Sequence, residues 1–155
     1  LLATELKEVV FIDKRRHVIF TIKTLALQLR RLLDESASNI DKDMTGIQAG
    51  IIAYIDRSRG RKEIFQKDIE EEFNIRRSTA TGILNTLEKK DMIKREPVSY
   101  DKRLKKLILT EKAHSLCQKI YDLLETDEER LISNLTEEEI DIFLKIIAKM
   151  MKNII

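Results

Sequence analysis

Arg76, Arg77, Ser78, Thr79, Thr81 and Asn85 crowd into one short stretch of the chain. They set long cationic donors beside small hydroxyls and an amide, the groups that hold phosphates and read base edges. A second concentration follows at Asp101, Lys102, Arg103, Lys105 and Lys106. There a carboxylate stands two residues before an arginine, among three lysines. Guanidinium and ammonium groups neutralise phosphate, and an arginine suits the narrow, strongly negative minor groove. Neither concentration is an arrangement for bond-breaking. The chain shows no Gly-rich phosphate loop, no metal cluster and no activated Ser or Cys constellation, so no catalytic residue, cofactor or enzyme activity is expected. Glu137, Glu138 and Glu139 are paired acids only on paper, since their place at a helix start explains them.

The first concentration, taken alone, also reads as a solvated helix face. The elements around it tip the balance. Residues 66–73 read as a short helix with Ile69 and Phe73 four apart, and with Glu70, Glu71 and Glu72 opposite, which keeps this helix off phosphates. Asn74 tolerates the left-handed backbone of a tight turn. Residues 77–90 read as a second helix that buries Ala80, Ile83, Leu84 and Leu87 and turns its basic N-terminal end outward, where free N–H groups favour an anion. Two strands follow, 94–100 and 104–109, around the turn Tyr100-Asp101-Lys102-Arg103. Leu107 and Leu109 alternate to one side, Lys106 and Ile108 to the other, and Pro97 belongs on an edge strand. Asp101 either steers the Arg103 guanidinium or caps the turn. The order is a helix-turn-helix followed by a basic hairpin, a surface shaped for duplex DNA.

The stretches NIRRSTATGILNTLEKKDMI and YDKRLKKLILTEKA, with Asp101-x-Arg103 followed by Leu109-Thr110, resemble the winged helix-turn-helix of the MarR family of bacterial transcription regulators. The likeness extends over nearly the whole chain. It implies a mainly α fold with a small β-hairpin wing, a winged helix-turn-helix plus terminal dimerisation helices. It also implies a homodimer, a wing arginine for the minor groove (Arg103 here), and more often a repressor than an activator. Many relatives respond to small amphipathic or aromatic-acid effectors held between the dimer helices and the reader. Lys14, His17, Tyr54, Arg57 and Tyr121 have suitable chemistry near that junction, but each reads as a structural or surface residue. Three positions depart from the family pattern. Arg76 replaces the Ser or Thr cap of the recognition helix, Gly82 stands where a longer side chain is common, and Asp91 replaces the closing Gly. The peroxide-sensing Cys that some relatives carry near the start of the first helix has no counterpart.

Composition agrees. The 155 residues carry a net charge of only +2. Residues 57–106, however, hold 15 Lys and Arg against 9 Asp and Glu, and the remainder holds 14 against 18, so the positive field sits on one module. Four Gly and one Pro argue against an all-β fold and long flexible linkers. No run is long and apolar enough for a membrane span, and the opening LLATELKEVV is not a secretory signal. The chain opens on Leu rather than Met, so preceding residues are expected. A single cysteine, Cys117, excludes an internal disulfide, reads as core beside Ala113, Leu116 and Ile120, and fits the cytoplasm. His17 and His114 show no Cys or carboxylate at ligand spacing, so no metal site is expected.

The flanks supply a scaffold. Residues 5–36 read as a helix whose seam is Val18, Ile22, Leu25, Leu29 and Leu32. A helix from Thr45 carries Ile47, Ile51, Ile52, Ala53, Tyr54 and Ile55 toward the reader's core. Thr110 caps a helix with Ala113, Leu116, Ile120, Leu123 and Leu124 on one face. Thr136 to Glu139 form a capping box before Ile140, Phe143, Ile147, Met150 and Ile154, widened by Leu144, Met151 and Ile155. These stripes exceed what one subunit hides, and a two-fold homodimer covers them. Packing of the first helix on the last within one chain is the quieter alternative. The expected organisation is a dimerisation helix over 1–38, the reader over 45–109 and helices for dimerisation over 110–155. The expected function is a dimeric regulator of transcription on an inverted-repeat operator in double-stranded DNA. The rival from another class is a helical protein-interaction module whose basic wing binds an acidic protein.

Overall fold

The structure, a computed structural model, describes residues 17–154. The part of the expected first helix before residue 17, Lys14 included, lies outside the described residues, as does Ile155. Six helices and two strands follow in order: α1 (Val18–Ser38), α2 (Gly46–Ser58), α3 (Gln66–Glu72), α4 (Arg77–Lys89), β1 (Ile93–Pro97), β2 (Lys105–Leu109), α5 (Glu111–Ile132) and α6 (Glu137–Lys152). The chain divides into a first compact unit ending at Leu32 and a second, Leu33–Ile155. In the first, Val18, Ile22 and Leu25 of the expected seam are exposed, as are Ile19 and Phe20.

The second unit is built on one core. Ile51, Ile52 and Ile55 of α2 meet Ile69 of α3, Leu84 and Leu87 of α4, and Ala113, Cys117 and Ile120 of α5, with Met92, Ile93 and Leu107 closing it from the hairpin. α2 starts where capping chemistry dictates. The Thr45 hydroxyl accepts the Gln48 N–H, and the Gln48 side chain accepts the Thr45 N–H in return. At Gly46 a Cβ would fall 2.5 Å from that of Leu33, so only glycine lets α2 begin this close to the end of α1. Asn74 makes the turn between α3 and α4 at φ 47°. Arg76 stands at the N-cap of α4 with no side-chain cap bond, as its type foretells. At the other end Asp91 takes φ 55°, and the Met92 N–H reaches the Leu87 carbonyl at 2.9 Å, a helix stop usually given to glycine.

β1 and β2 pair antiparallel from Ile93↔Leu109 to Pro97↔Lys105. The ladder is shorter than the expected 94–100 and 104–109: regular pairing ends at Pro97↔Lys105, and beyond it the buried Val98 keeps one cross-hairpin bond, its N–H to the Leu104 carbonyl at 3.3 Å. Beyond it the chain turns through Leu104, whose N–H reaches the Asp101 carbonyl at 3.0 Å. On its far side β2 is held by Ile64, whose carbonyl accepts the Leu107 N–H at 2.7 Å. β1 is therefore the outer edge, where Pro97 loses no ladder bond. Thr110 then starts α5: its hydroxyl accepts the Ala113 N–H at 3.2 Å and donates to the Asp91 carbonyl at 2.6 Å. The Thr136 capping box starts α6. No residue of α6 is buried, and Ile142, Phe143, Leu144, Ile146 and Met151 are exposed. Among the described residues no helix is long and apolar enough to cross a membrane.

Candidate nucleic-acid interface

The α3–α4 pair and the hairpin enclose a groove of about 680 Å³. From α4 it is lined by Arg77, Thr81 and Asn85, from the hairpin by Arg95, Arg103 and Lys105, and from α3 by Gln66, Lys67 and Glu70. The two concentrations of the sequence thus meet across one concave, cationic surface. Helical periodicity turns Arg77, Thr81 and Asn85 to one side, because residues four apart share a face. Arg76, Ser78 and Thr79 are exposed at the N-terminal end of α4 beside the groove.

Several of these side chains are already engaged. The Thr81 hydroxyl accepts a hydrogen bond from Gln66 Nε2 at 2.9 Å and donates to the Arg77 carbonyl at 2.8 Å, so it fastens α3 to α4. Asn85 Oδ1 accepts from Arg95 Nη1 at 3.0 Å, and the same guanidinium pairs with Glu88 at 2.6 Å. Arg95 thereby straps β1 to the recognition helix. The sequence reading passed over it; its signal was a cation on the strand, opposite the inward Leu107 in register.

At the hairpin tip Asp101 does both things its type allows. Its Oδ1 accepts the Arg103 N–H at 2.9 Å, closing the turn, and the Arg103 Nε at 3.3 Å, steering the guanidinium. The Arg103 side chain is nonetheless 91% exposed, so it is aimed without being buried. Lys102 is exposed beside it. Lys105 lines the groove, but Lys106 points to the opposite face, as strand alternation requires, and pairs with Glu63 at 3.0 Å. Lys106 is therefore apart from the group expected to anchor phosphate. Glu63 also accepts the Tyr100 hydroxyl at 2.8 Å. The Tyr100 bond, then the Lys106 ammonium, hold the Glu63 carboxyl below its ordinary range, while Glu63 raises the Tyr100 hydroxyl above its own. Together these bonds brace the wing against the loop that follows α2.

Behind the wing lies a second cleft, of about 380 Å³, lined by Ile55, Asp56, Arg59, Lys62, Glu63, Leu109 and His114 among others. Of the residues with effector-like chemistry, Tyr54 is half-buried edge-on to Phe73 and takes a hydrogen bond from Lys62 at 2.9 Å. Tyr121 donates to Asp56 at 2.7 Å. Arg57 and His17 are exposed. The spacing argument made against His114 fails here. His114 does have a carboxylate and a thiol beside it: Asp56 comes from α2, and Cys117 lies one helical turn further along α5. Cys117 itself is buried in the core, as expected.

The sequence pattern of the MarR family matches residues 42–104. YybA, an uncharacterised HTH-type transcriptional regulator of Bacillus subtilis (strain 168), is 30% identical over 130 residues, covering 81% of this chain and 83% of YybA. The transcription regulator MarR from Oenococcus oeni PSU-1 is 34% identical, with a TM-score of 0.74 over 87% of this chain and 98% of that one. S. aureus MepR, in complex with DNA, has the same fold at 21% identity, with a TM-score of 0.82 over 90% of this chain and all of that one.

Proposed function

The chain belongs to the MarR family of transcriptional regulators, a family without enzymatic chemistry, and from that premise we propose that it is a dimeric, DNA-binding repressor of the cytoplasm. The observation that carries the reading is the groove shared by α4 and the wing, where Arg77, Arg95, Arg103 and Lys105 converge. In the proposed complex the N-terminal end of α4 enters the major groove, with Arg76, Arg77, Ser78 and Thr79 foremost. Arg103, aimed by Asp101, reaches the adjacent minor groove. Lys102 and Lys105 neutralise phosphates. Two-fold pairing through α6 and the N-terminal helix covers the apolar stripe that α6 leaves exposed, so the operator is an inverted repeat with half-sites about one DNA turn, roughly 34 Å, apart. The MepR–DNA complex supports the reading by its fold. The cleft behind the wing supports release by a small amphipathic acid. It sets Arg59, Lys62 and His114 beside Ile55, Ile64 and Leu109, a size and polarity suited to such a ligand.

The test is fluorescence anisotropy on duplex DNA across a salt series, for the native chain and Arg103→Ala. Native binding falls steeply with salt, because each neutralised phosphate releases counterions. Arg103→Ala weakens it by about tenfold or more with the dimer intact. Equal affinity and equal salt slope in the two proteins would remove the wing from the reading.

A further inference from the structure

At one edge of the core, α2 and α5 bring a carboxylate, an imidazole and a thiol together. His114 Nδ1 lies 3.1 Å from Asp56 Oδ1, and with the Cys117 Sγ the three atoms all fall within 4.8 Å of one another. We propose that Asp56, His114 and Cys117 form a binding site for a divalent transition-metal ion of the zinc type. The site is separate from the DNA-facing groove, and the proposal stands whether or not the chain binds DNA.

One oxygen, one nitrogen and one sulfur donor select the ion. Calcium and magnesium take oxygen ligands, whereas zinc accepts all three, at about 2.0–2.2 Å to oxygen or nitrogen and about 2.3 Å to sulfur. Those bond lengths place neighbouring ligands of a tetrahedral ion about 3.5 Å apart. The His114–Asp56 pair is already near that spacing, and the Cys117 sulfur has to close by about 1 Å. His114 and Cys117 sit three apart on one helix and so share a face. Asp56 and His114 also line the cleft behind the wing, which gives an ion a route in and leaves room for water at a fourth position. Tyr121 donates to Asp56 Oδ2 at 2.7 Å, the outer-shell bond that fixes a ligating carboxylate.

Burial first, and then the Asp56 carboxylate, push the Cys117 thiol up to about 11. At neutral pH the empty site therefore holds S–H. Ligation breaks that bond, forms the sulfur–metal bond and sends one proton to solvent for each ion bound. The plain rival is a self-sufficient polar network in which Asp56 accepts from His114 and Tyr121 and takes no ion.

The experiment titrates Zn²⁺ into the whole chain against a competing chromophoric chelator, follows proton release in weak buffer, and repeats the titration with Co²⁺. The expected result is one tight equivalent, one proton released from the thiol, and a thiolate-to-cobalt charge-transfer band. Cys117→Ala removes that band. His114→Gln weakens binding by at least about tenfold, and Tyr121→Phe, a positioning change, by about tenfold. Circular dichroism of the metal-free variants checks that they fold; His114 is only half-buried, so His114→Gln keeps the test open if Cys117→Ala misfolds. No stoichiometric binding, or binding that His114→Gln leaves unchanged with no thiolate band, overturns the proposal.

Discussion

α4 and α6 are both amphipathic helices of similar length, and they end in opposite states. In α4 the apolar stripe is consumed within the chain: Ala80, Leu84 and Leu87 are fully buried. In α6 an equally regular stripe buries nothing, and Phe143 and Leu144 remain half-exposed. Periodicity states that a face will be covered, and it does not state by what. α4 is covered because α2, α3 and the hairpin fold around it, which fixes its basic side relative to the wing. Among the described residues no element buries the α6 stripe, so it calls for another surface, and under the proposed function that is a second copy.

The sharpest way to break this contrast is to empty the α4 side of it. Leu84→Ala removes a fully buried side chain from the middle of the core. It should cost about 2–5 kcal/mol of unfolding free energy, read from urea denaturation. A loss below about 1 kcal/mol would mean that the α4 stripe is less closely packed than its burial implies.

The α6 side is probed by charge. Phe143→Asp puts a carboxylate on the exposed stripe, on a helix none of whose residues is buried. The subunit should keep its helical circular dichroism. Its self-association should weaken by about 2 kcal/mol or more, the range of an aromatic anchor at an interface, and sedimentation would show it. DNA affinity should fall with it, because a lone reader meets a single half-site. A variant that sediments as the native protein does would place the dimer contact elsewhere.

The same contrast explains how far the sequence could be read. Local chemistry was legible: Thr110 and Thr136 cap the helices they were expected to cap, the helix expected from Thr45 begins at Gly46 with Thr45 as its cap, and Asn74 and Asp91 take the left-handed turns their types allow. Side chains that act across long stretches of chain were not legible. Glu63 holds Tyr100 and Lys106, 37 and 43 residues away, and nothing in strand alternation says what the outward Lys106 will meet. Asp56 joins His114 over 58 residues. His114 and Cys117 stand three apart on one helix, a pairing that the sequence reading did not make, and Asp56 joins them only through the fold. The end of the wing strands is a related case: Val98 fits a strand by type and its N–H still reaches the Leu104 carbonyl, but regular pairing stops one residue earlier at Pro97.

The smallest effect lies on the open side of α4. Gly82 sits in the middle of the recognition helix, and a Cβ there would meet no atom within 4 Å. Its φ lies outside the left-handed region, so neither sterics nor backbone requires glycine. Glycine in a helix interior costs roughly 1 kcal/mol relative to alanine, because the unfolded chain loses more freedom on ordering. Gly82→Ala should therefore raise stability by about that amount in urea denaturation. A gain with unchanged DNA affinity would show that the exposed face of α4 tolerates a methyl group at this position in the complex. A gain in stability with a loss of affinity would place Gly82 against the DNA, where the missing side chain allows close approach of the backbone. Either result keeps the buried and exposed faces of α4 as separate functions of one helix. Destabilisation would instead refute the open surroundings of Gly82, and with them the orientation of α4 on which the groove depends.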